Sequence, residues 1–301
     1  MPPVGGQAVI EGVMMQNGDR IAVAVRRESD GEIVVRDLRA RSRFKKLGEI
    51  PFVRGLFRLF DMLSLGLRAL NVSSKIAFPE EEQLGKGGTV LTFSLAIVAA
   101  VGGFVVLPLY LTNTVPGLRL GNTILFNLVE GFIRIVFFFI YLLVISRMKD
   151  IHRVFQYHGA EHKSVYTYEG GEELTVENAR KYTTLHPRCG TAFLMIVLVI
   201  SILVFSLAGN PALWLKILTR LLLIPVVAGV SYETLRYSGQ HYDRWWVRVL
   251  TKPGLWLQKL TTAEPTPDML EVAIASLKRV TQPTSSRSAV SATPDAQESA
   301  A

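Results

Sequence analysis

The sequence has few charged residues and almost no cysteine. Charged residues make up 19% of the 301 positions, against about 25% in soluble globular domains. Cys189 is the single cysteine, which excludes an internal disulfide. Residues 1–15 lack the basic segment, apolar core and small-residue cleavage site of a signal peptide, so we expect the N-terminus to be retained. These shortages exclude a disulfide-framed secreted domain.

Long apolar runs are what the sequence has in excess. Hydrophobic residues account for 49% of the chain. Four runs approach or exceed the roughly 20 residues that a helix needs to cross a bilayer, at residues 89–112, 123–146, 191–208 and 212–230. We therefore predict a mainly α membrane protein with about four transmembrane helices, whose first partner is the lipid bilayer.

The basic residues are concentrated on one side of this predicted topology. Most lie before the first run, between the second and third runs or after the fourth, whereas the remaining connections, 113–122 and 209–211, carry only Arg119. Because Lys and Arg accumulate in cytoplasmic loops, we expect both termini in the cytoplasm. This distribution also accounts for the net charge of +8 without a nucleic-acid partner.

The N-terminal segment has the pattern of a small antiparallel β-meander. Strand-like segments at 8–15, 20–27 and 32–38 are separated by Asn17-Gly18 and Asp30-Gly31, and such dipeptides are strong hairpin signals. We expect this unit to be too small to be stable alone.

Amphipathic helices are predicted outside the apolar runs. Residues 51–77 carry apolar side chains at helical spacing, which fits either a helix along the cytoplasmic leaflet or one packed on the cytoplasmic domain. Residues 232–260 are aromatic and basic, as expected for a helix at the membrane interface. A short helix is predicted over 267–280, beginning at Pro267.

The predicted organisation has seven parts. They are a cytoplasmic β-meander (1–48), an amphipathic interfacial helix region (49–88), transmembrane helices one and two (89–146), a cytoplasmic His/Cys loop (147–190), transmembrane helices three and four (191–230), cytoplasmic interfacial and C-terminal helices (231–282) and a disordered tail (283–301).

The second apolar run contains polar residues at membrane depth. Glu130 and Arg134 stand at i,i+4 spacing, where they can pair, and Asn127 lies one turn earlier. Such residues either line a polar path or form an ion pair that fixes helix packing.

Histidines cluster between the second and third runs, where four of the five occur: His152, His158, His162 and His186. Residues 150–168 lack proline and can form a helix, which places His158 and His162 one turn apart on one face. Two imidazoles at that spacing can bind one metal ion. Together with Glu161 they form the H-x-x-E-H pattern of inverted zinc proteases, in which the histidines ligate zinc and the carboxylate is the general base. We predict a divalent metal, with zinc the preferred ion.

A third ligand is required, and His186 and Cys189 are the leading candidates. They lie in a turn bounded by Pro187 and Gly190, just before the third run. The predicted topology puts the Cys189 thiol on the reducing side of the membrane. More distant candidates are Glu11, Glu233, His241 and Asp243. The alternative is a hydrogen-bonded cluster of these histidines and Glu161 with Arg153, Lys163 or Arg188.

Three strings resemble a known family. Residues 3–15, 155–163 and 185–191 are similar to the bacterial YqhQ-like domain of unknown function, described as a predicted metal-dependent membrane enzyme. The resemblance covers roughly residues 3–277 and implies a bacterial inner-membrane protein. It also implies a metal site formed by His158, Glu161, His162, His186 and Cys189.

The leading functional hypothesis is a metal-dependent membrane hydrolase, with a peptidase among the options, whose site faces the cytoplasm. The second is a non-enzymatic scaffold or assembly factor with a structural zinc clasp, which would use four protein ligands and leave no open position. A third is a transporter using Glu130, Arg134 and Arg220, which would need oligomerisation because the sequence contains no internal repeat. A second copy of the chain or another membrane protein is the expected protein partner.

Overall fold

The computed structural model describes residues 4–39, 52–79, 85–115, 122–207, 209 and 212–282. It is mostly helical with an N-terminal four-stranded antiparallel sheet, which confirms the predicted fold class. The predicted disordered tail, 283–301, lies outside the described residues.

The sheet is a meander of consecutive strands in the order β1-β2-β3-β4. They are β1 (Gly5–Val9), β2 (Gly12–Asn17), β3 (Arg20–Arg26) and β4 (Ile33–Arg39). Gly18 has a φ of +61° in the tight turn after β2, and Gly31 a φ of +73° before β4. Both predicted glycine turns are therefore present.

The prediction of one strand over residues 8–15 is wrong, because β1 and β2 are joined by a turn at Ile10-Glu11. Glu11 has a φ of +49°, a conformation that costs free energy for a residue with a side chain. Arg153 Nε donates to the Glu11 carboxylate at 2.5 Å and Tyr157 Oη donates at 3.3 Å. These long-range contacts hold a turn that has no Asn-Gly signal.

Ten α-helices follow the sheet in the described residues. They are α1 (Val53–Ala77), α2 (Lys86–Val101), α3 (Leu107–Thr114), α4 (Thr123–Ile145), α5 (Lys149–Glu169), α6 (Val176–Arg180), α7 (Ala192–Ser206), α8 (Leu213–Gln240), α9 (Trp245–Thr261) and α10 (Pro267–Thr281). A π-helical turn, Gly102–Val106, joins α2 to α3.

Three helical stretches are long and apolar enough to cross a membrane, at Val90–Thr114, Thr123–Ile145 and Leu213–Gln240. The run predicted as the third span forms α7, which is apolar but has only 15 residues. It packs against α4, α8 and α9. The described residues thus contain three long apolar helices and one shorter one, which indicates a membrane protein.

The two faces of the sheet pack on different helices. Ala22 and Ala24 belong to a core shared with α5 and α10, whereas Val23 and Val25 share a second core with α1. This alternation is the period-two pattern of a strand buried on both faces. The sheet therefore lies between α1 and the helix that carries the histidine pair.

Helix α1 shows the packed arrangement, one of the two that its periodicity allowed. Leu65 and Ala69 are buried in the sheet core, so the packed arrangement holds for its C-terminal half. In its N-terminal half, Phe60 and Met62 are 50% and 61% exposed. Contact of that half with lipid stays a prediction.

The single helix predicted over residues 232–260 is wrong. Helix α8 continues to Gln240, and the chain breaks at residues 241–244 before α9 begins. The falling hydropathy after residue 230 marks a change of surroundings and not the end of a helix. Trp245 and Trp256 are nevertheless exposed on α9, as the predicted membrane interface requires.

Candidate metal centre

Helix α5 holds His158 and His162 side by side. It extends beyond both residues, and the two imidazole rings lie 4.4 Å apart between centroids. Both side chains are buried. The predicted helix and the shared face of the two histidines are thus present.

Gly159 lets another segment cross α5 directly beside the histidines. A Cβ atom at this position would lie 2.2 Å from the carbonyl oxygen of Ala263. The Ala263 N–H donates to the carbonyl of Phe155 at 2.9 Å, which holds the segment after α9 against the helix. The glycine inside the H-x-x-E-H string therefore serves close packing.

Cys189 comes to this histidine pair from the loop before α7. Its Sγ lies 3.1 Å from Nε2 of His158. Ligand atoms of His158, His162 and Cys189 all lie within 4.8 Å of one another, and the three residues are buried. Ligand atoms around a tetrahedral zinc ion are about 3.5 Å apart, so the group is close to the size that such an ion requires.

The Nδ1 atoms of both histidines contact backbone carbonyls. Nδ1 of His158 donates to the Thr261 carbonyl at 2.7 Å, and Nδ1 of His162 donates to the Thr184 carbonyl. In this tautomer, inferred from the acceptors, each Nε2 atom keeps a free lone pair. In metal-binding histidines, the ring nitrogen that does not bind the metal commonly donates such a hydrogen bond, which fixes the orientation of the ring.

Nε2 of His162 is buried and has no hydrogen-bond partner among the described residues. Buried polar atoms are nearly always paired in folded proteins. Two imidazole nitrogens, one of them without a partner, and a thiol sulfur form a donor set that zinc prefers. The residues present therefore fit a zinc ion.

The start of α7 positions the Cys189 sulfur. The hydroxyl of Thr191 lies 3.2 Å from Sγ, and the backbone N–H of Thr191 donates to Sγ at 3.4 Å. These two contacts hold the sulfur at the start of α7, beside Nε2 of His158.

His186 lies beside the three-residue group and outside it. Its ring centroid is 5.6 Å from that of His162. Nδ1 accepts the Arg188 backbone N–H at 3.3 Å, so Nε2 carries the hydrogen. Nε2 lies 3.5 Å from the Glu169 carboxylate and, like Nε2 of His162, is buried without a hydrogen-bond partner among the described residues. Burial, with His162 and Arg188 nearby, lowers the pKa of His186 to about 3. Of the two third-ligand candidates, Cys189 is the one whose ligand atom lies within 4.8 Å of those of both histidines.

Gln258 on α9 fixes the loop that carries these residues. Its Oε1 accepts the His186 backbone N–H at 2.8 Å, and its Nε2 donates to the His186 carbonyl at 2.9 Å. Sequence reasoning missed Gln258, Thr184 and Thr261. The two threonines hold the histidines through backbone carbonyls, which leave no side-chain signal, and Gln258 is a lone amide on a mostly apolar helix face.

Glu161 points to the sheet. Its burial raises the pKa of the carboxyl, while the nearby His158 and the Gly6 N–H, which donates to it, act in the opposite direction. A Cβ atom on Gly6 would lie 2.9 Å from Glu161 Cγ. Gly6 therefore serves the close approach of β1 to α5, and the group of three does not include Glu161.

The other candidate groups have partners away from the histidine pair. Glu11 pairs with Arg153 and Glu233 with Arg54 at 2.6 Å. These partners argue against either carboxylate as a third ligand.

The cations of the alternative hydrogen-bonded cluster are also paired elsewhere. Lys163 binds Glu264 at 2.5 Å and Arg188 binds Glu169. His152 is exposed on α5, and His241 stacks on Tyr237. The described residues therefore do not join Glu161 and the two α5 histidines to these cations, although His186 and Arg188 face the same carboxylate, that of Glu169.

Comparison with known proteins gives a family and no activity. A family profile described as "Protein of unknown function (DUF1385)" matches residues 50–283. The "Uncharacterized protein YqhQ" of Bacillus subtilis (strain 168) is 34% identical over 296 residues, covering 93% of this chain and 92% of that protein. No solved structure matches the chain significantly.

Proposed function

The chain belongs to the DUF1385 family, which has YqhQ-like members and an unknown function, and we propose that it is a metal-dependent hydrolase of the membrane. One observation carries the proposal. His158 and His162 use Nδ1 to bind backbone carbonyls, which leaves both Nε2 atoms for the buried group that includes Cys189.

In this proposal His158, His162 and Cys189 hold one zinc ion. Catalytic zinc sites use three protein ligands and keep a further position open, whereas structural sites use four. Bound zinc would supply Lewis-acid activation of the hydrolytic water. Glu161, whose carboxylate accepts the Gly6 N–H, would have to turn from the sheet toward the ion to take up a proton, as in the H-x-x-E-H pattern. A peptide bond is the first substrate class to test.

The second candidate is a non-enzymatic scaffold with a structural zinc clasp. It is favoured by the position of His186, which is buried 5.6 Å from His162 between ring centroids. A change of tautomer and a small movement of its loop would make it a fourth ligand. Zinc would then tie the loop before α7 to α5.

Metal analysis of the purified full-length protein tests the site itself. We expect about one zinc ion per chain in the wild type, and a metal-free protein for His158→Ala. His152→Ala is the matched control, because His152 is exposed on the same helix and should not change the metal content. Wild-type protein without zinc, or His158→Ala with unchanged zinc, would falsify both candidates.

Cobalt substitution separates the enzyme from the clasp. Azide added to the Co²⁺ form should change its visible spectrum if a coordination position is open, and leave it unchanged if four protein ligands close the site. If azide binds, Glu161→Gln should keep the metal and lose hydrolysis in a screen of peptide substrates. Full hydrolysis by that variant would remove Glu161 from the mechanism.

For location, we propose the bacterial inner membrane, with both termini and the metal centre on the cytoplasmic side. The basic residues between 147 and 188 support this orientation, as does the packing of the sheet on α5, which follows α4 directly. Reporter fusions at residue 118 and at the C-terminus test it. A cytoplasmic signal from the first fusion would reverse the orientation.

A further inference from the structure

A second buried polar cluster lies among the apolar helices. The predicted pair of Glu130 and Arg134 forms there, and Arg220 on α8 also contacts the Glu130 carboxylate. Arg220 donates a further hydrogen bond to Oδ1 of Asn127 at 2.9 Å. Glu130 and Arg220 are only 1% and 3% exposed, so the pair is part of a larger buried network.

This network has more positive than negative charge. Within the apolar segments 90–114, 123–145, 192–206 and 213–230, the charged residues of the sequence are Glu130, Arg134, Lys216 and Arg220. Three cations and one carboxylate leave a formal charge of +2. All four side chains are buried. Charge at this depth is unfavourable unless it is neutralised, so the excess positive charge of the network favours an anion beside it.

Neutral groups supply part of the compensation. The guanidinium groups of Arg134 and Arg220 lie 5.1 and 4.8 Å from the ring centroid of Phe205. Nζ of Lys216 lies 3.9 Å from the centroid of Phe126. Aromatic faces attract cations, but they carry no net charge and leave the excess in place.

One donor at the centre of the network is unused. Nε of Arg220 is buried and has no hydrogen-bond partner among the described residues. A buried guanidinium N–H without an acceptor is rare in folded proteins. It is an independent sign that an acceptor is missing here.

The network lies nearer to the end of the bundle opposite the metal centre. Glu130 is the eighth residue of α4, about 10 Å from its start, and Lys216 is the fourth residue of α8, about 5 Å from its start. Nζ of Lys216 lies 3.5 Å from Oδ1 of Asn113, near the end of α3. The histidine pair follows the other end of α4.

We propose that Lys216 and Arg220 form a binding site for a phosphate group that enters from this end, with Arg134 adding positive charge while its own nitrogens donate to Phe104, Ser201 and Glu130. A phosphate monoester carries close to two negative charges at neutral pH, which matches the excess of the network. Guanidinium groups bind phosphate oxygens through two parallel hydrogen bonds, and an ammonium group binds them as a point charge. The phosphate belongs either to a free anion or to a lipid headgroup.

Binding measurements on the full-length protein in phosphatidylcholine nanodiscs test the site and separate the two sources. Calorimetric titration with inorganic phosphate should show saturable binding if the ligand is a free anion. If the ligand is a lipid, native mass spectrometry should show retained phosphatidic acid in nanodiscs that contain it. A wild-type protein that binds neither probe overturns the proposal.

Two variants distinguish a binding site from a purely structural network. Lys216→Gln should weaken binding about tenfold, since one charged hydrogen bond is lost. Glu130→Gln removes the competing carboxylate, so binding should be at least as tight and thermal stability should become dependent on phosphate. A structural network predicts instead that Glu130→Gln is destabilised with or without either probe.

Two controls complete the experiment. Arg248→Gln, which changes an exposed cation on α9, should bind like the wild type. His158→Ala should also keep phosphate binding, because the proposed site does not depend on the metal centre. Unchanged affinity in Lys216→Gln, or a loss in Arg248→Gln equal to that in Lys216→Gln, would contradict the assignment.

Discussion

Nε2 of His158 lies 3.1 Å from Sγ of Cys189, although 31 residues separate them in the chain. The contact joins the middle of α5 to the loop that begins α7. Two packed elements therefore build the site, and its proposed metal affinity depends on how firmly each is held.

Substitution of each third-ligand candidate tests whether Cys189 or His186 completes the metal site. We expect Co²⁺-loaded wild type and His186→Asn to show a sulfur-to-cobalt charge-transfer band, because Sγ belongs to the three-residue group and His186 lies outside it. Cys189→Ser should lack the band and lose metal on dialysis. Loss of metal from His186→Asn to the same degree would favour the four-ligand clasp.

Gln258 is expected to increase the zinc affinity of the site although it is not a ligand. Gln258→Leu removes both hydrogen bonds to the His186 backbone and should weaken zinc binding by about 10- to 100-fold, the range typical of groups that orient ligands. Competition with a chromogenic chelator measures this affinity. Lys259→Gln, at an exposed neighbouring position on α9, is the matched control and should match the wild type.

Gly159 should tolerate no side chain. Gly159→Ala would place Cβ 2.2 Å from the Ala263 carbonyl oxygen, and we expect overpacking to cost about 1–3 kcal/mol of stability. Thermal unfolding in detergent, followed by circular dichroism, measures the loss. Gly190→Ala is the comparison in the same site, since a Cβ there meets nothing within 4 Å; equal melting temperatures for the two variants would contradict the packing argument.

Removal of the metal should lower the thermal stability of the protein only when the metal ligands are intact. A ligand that binds only the folded state at 100 times its Kd contributes about 2.7 kcal/mol, so chelation should lower the melting temperature of the wild type by several degrees. His158→Ala should melt lower than the wild type and show no response to the chelator. His152→Ala should respond as the wild type does, and an unresponsive wild type would argue against a resident metal.

Several elements could be predicted because their signals are local. Helix α5, the hairpin at Asn17-Gly18 and the pair of Glu130 with Arg134 follow from spacing and turn residues. The turn at Glu11 could not be predicted, since contacts from α5 more than 140 positions away hold it. Arg220 reaches the buried pair only because α8 packs on α7, which in turn packs on α4.

The sequence by itself determined that the chain enters a membrane, that an N-terminal sheet forms and that two histidines share one helix face. Hydropathy and periodicity are properties of a single helix or strand, so they can be recognised in the sequence without knowledge of the tertiary structure. Tertiary structure alone decided that Cys189 joins those histidines while His186 stays beside them. The approach of Cys189 to the two histidines depends on the close crossing at Gly159 and on the two hydrogen bonds of Gln258 to the His186 backbone. Such contacts between distant segments produce no periodic pattern in the sequence.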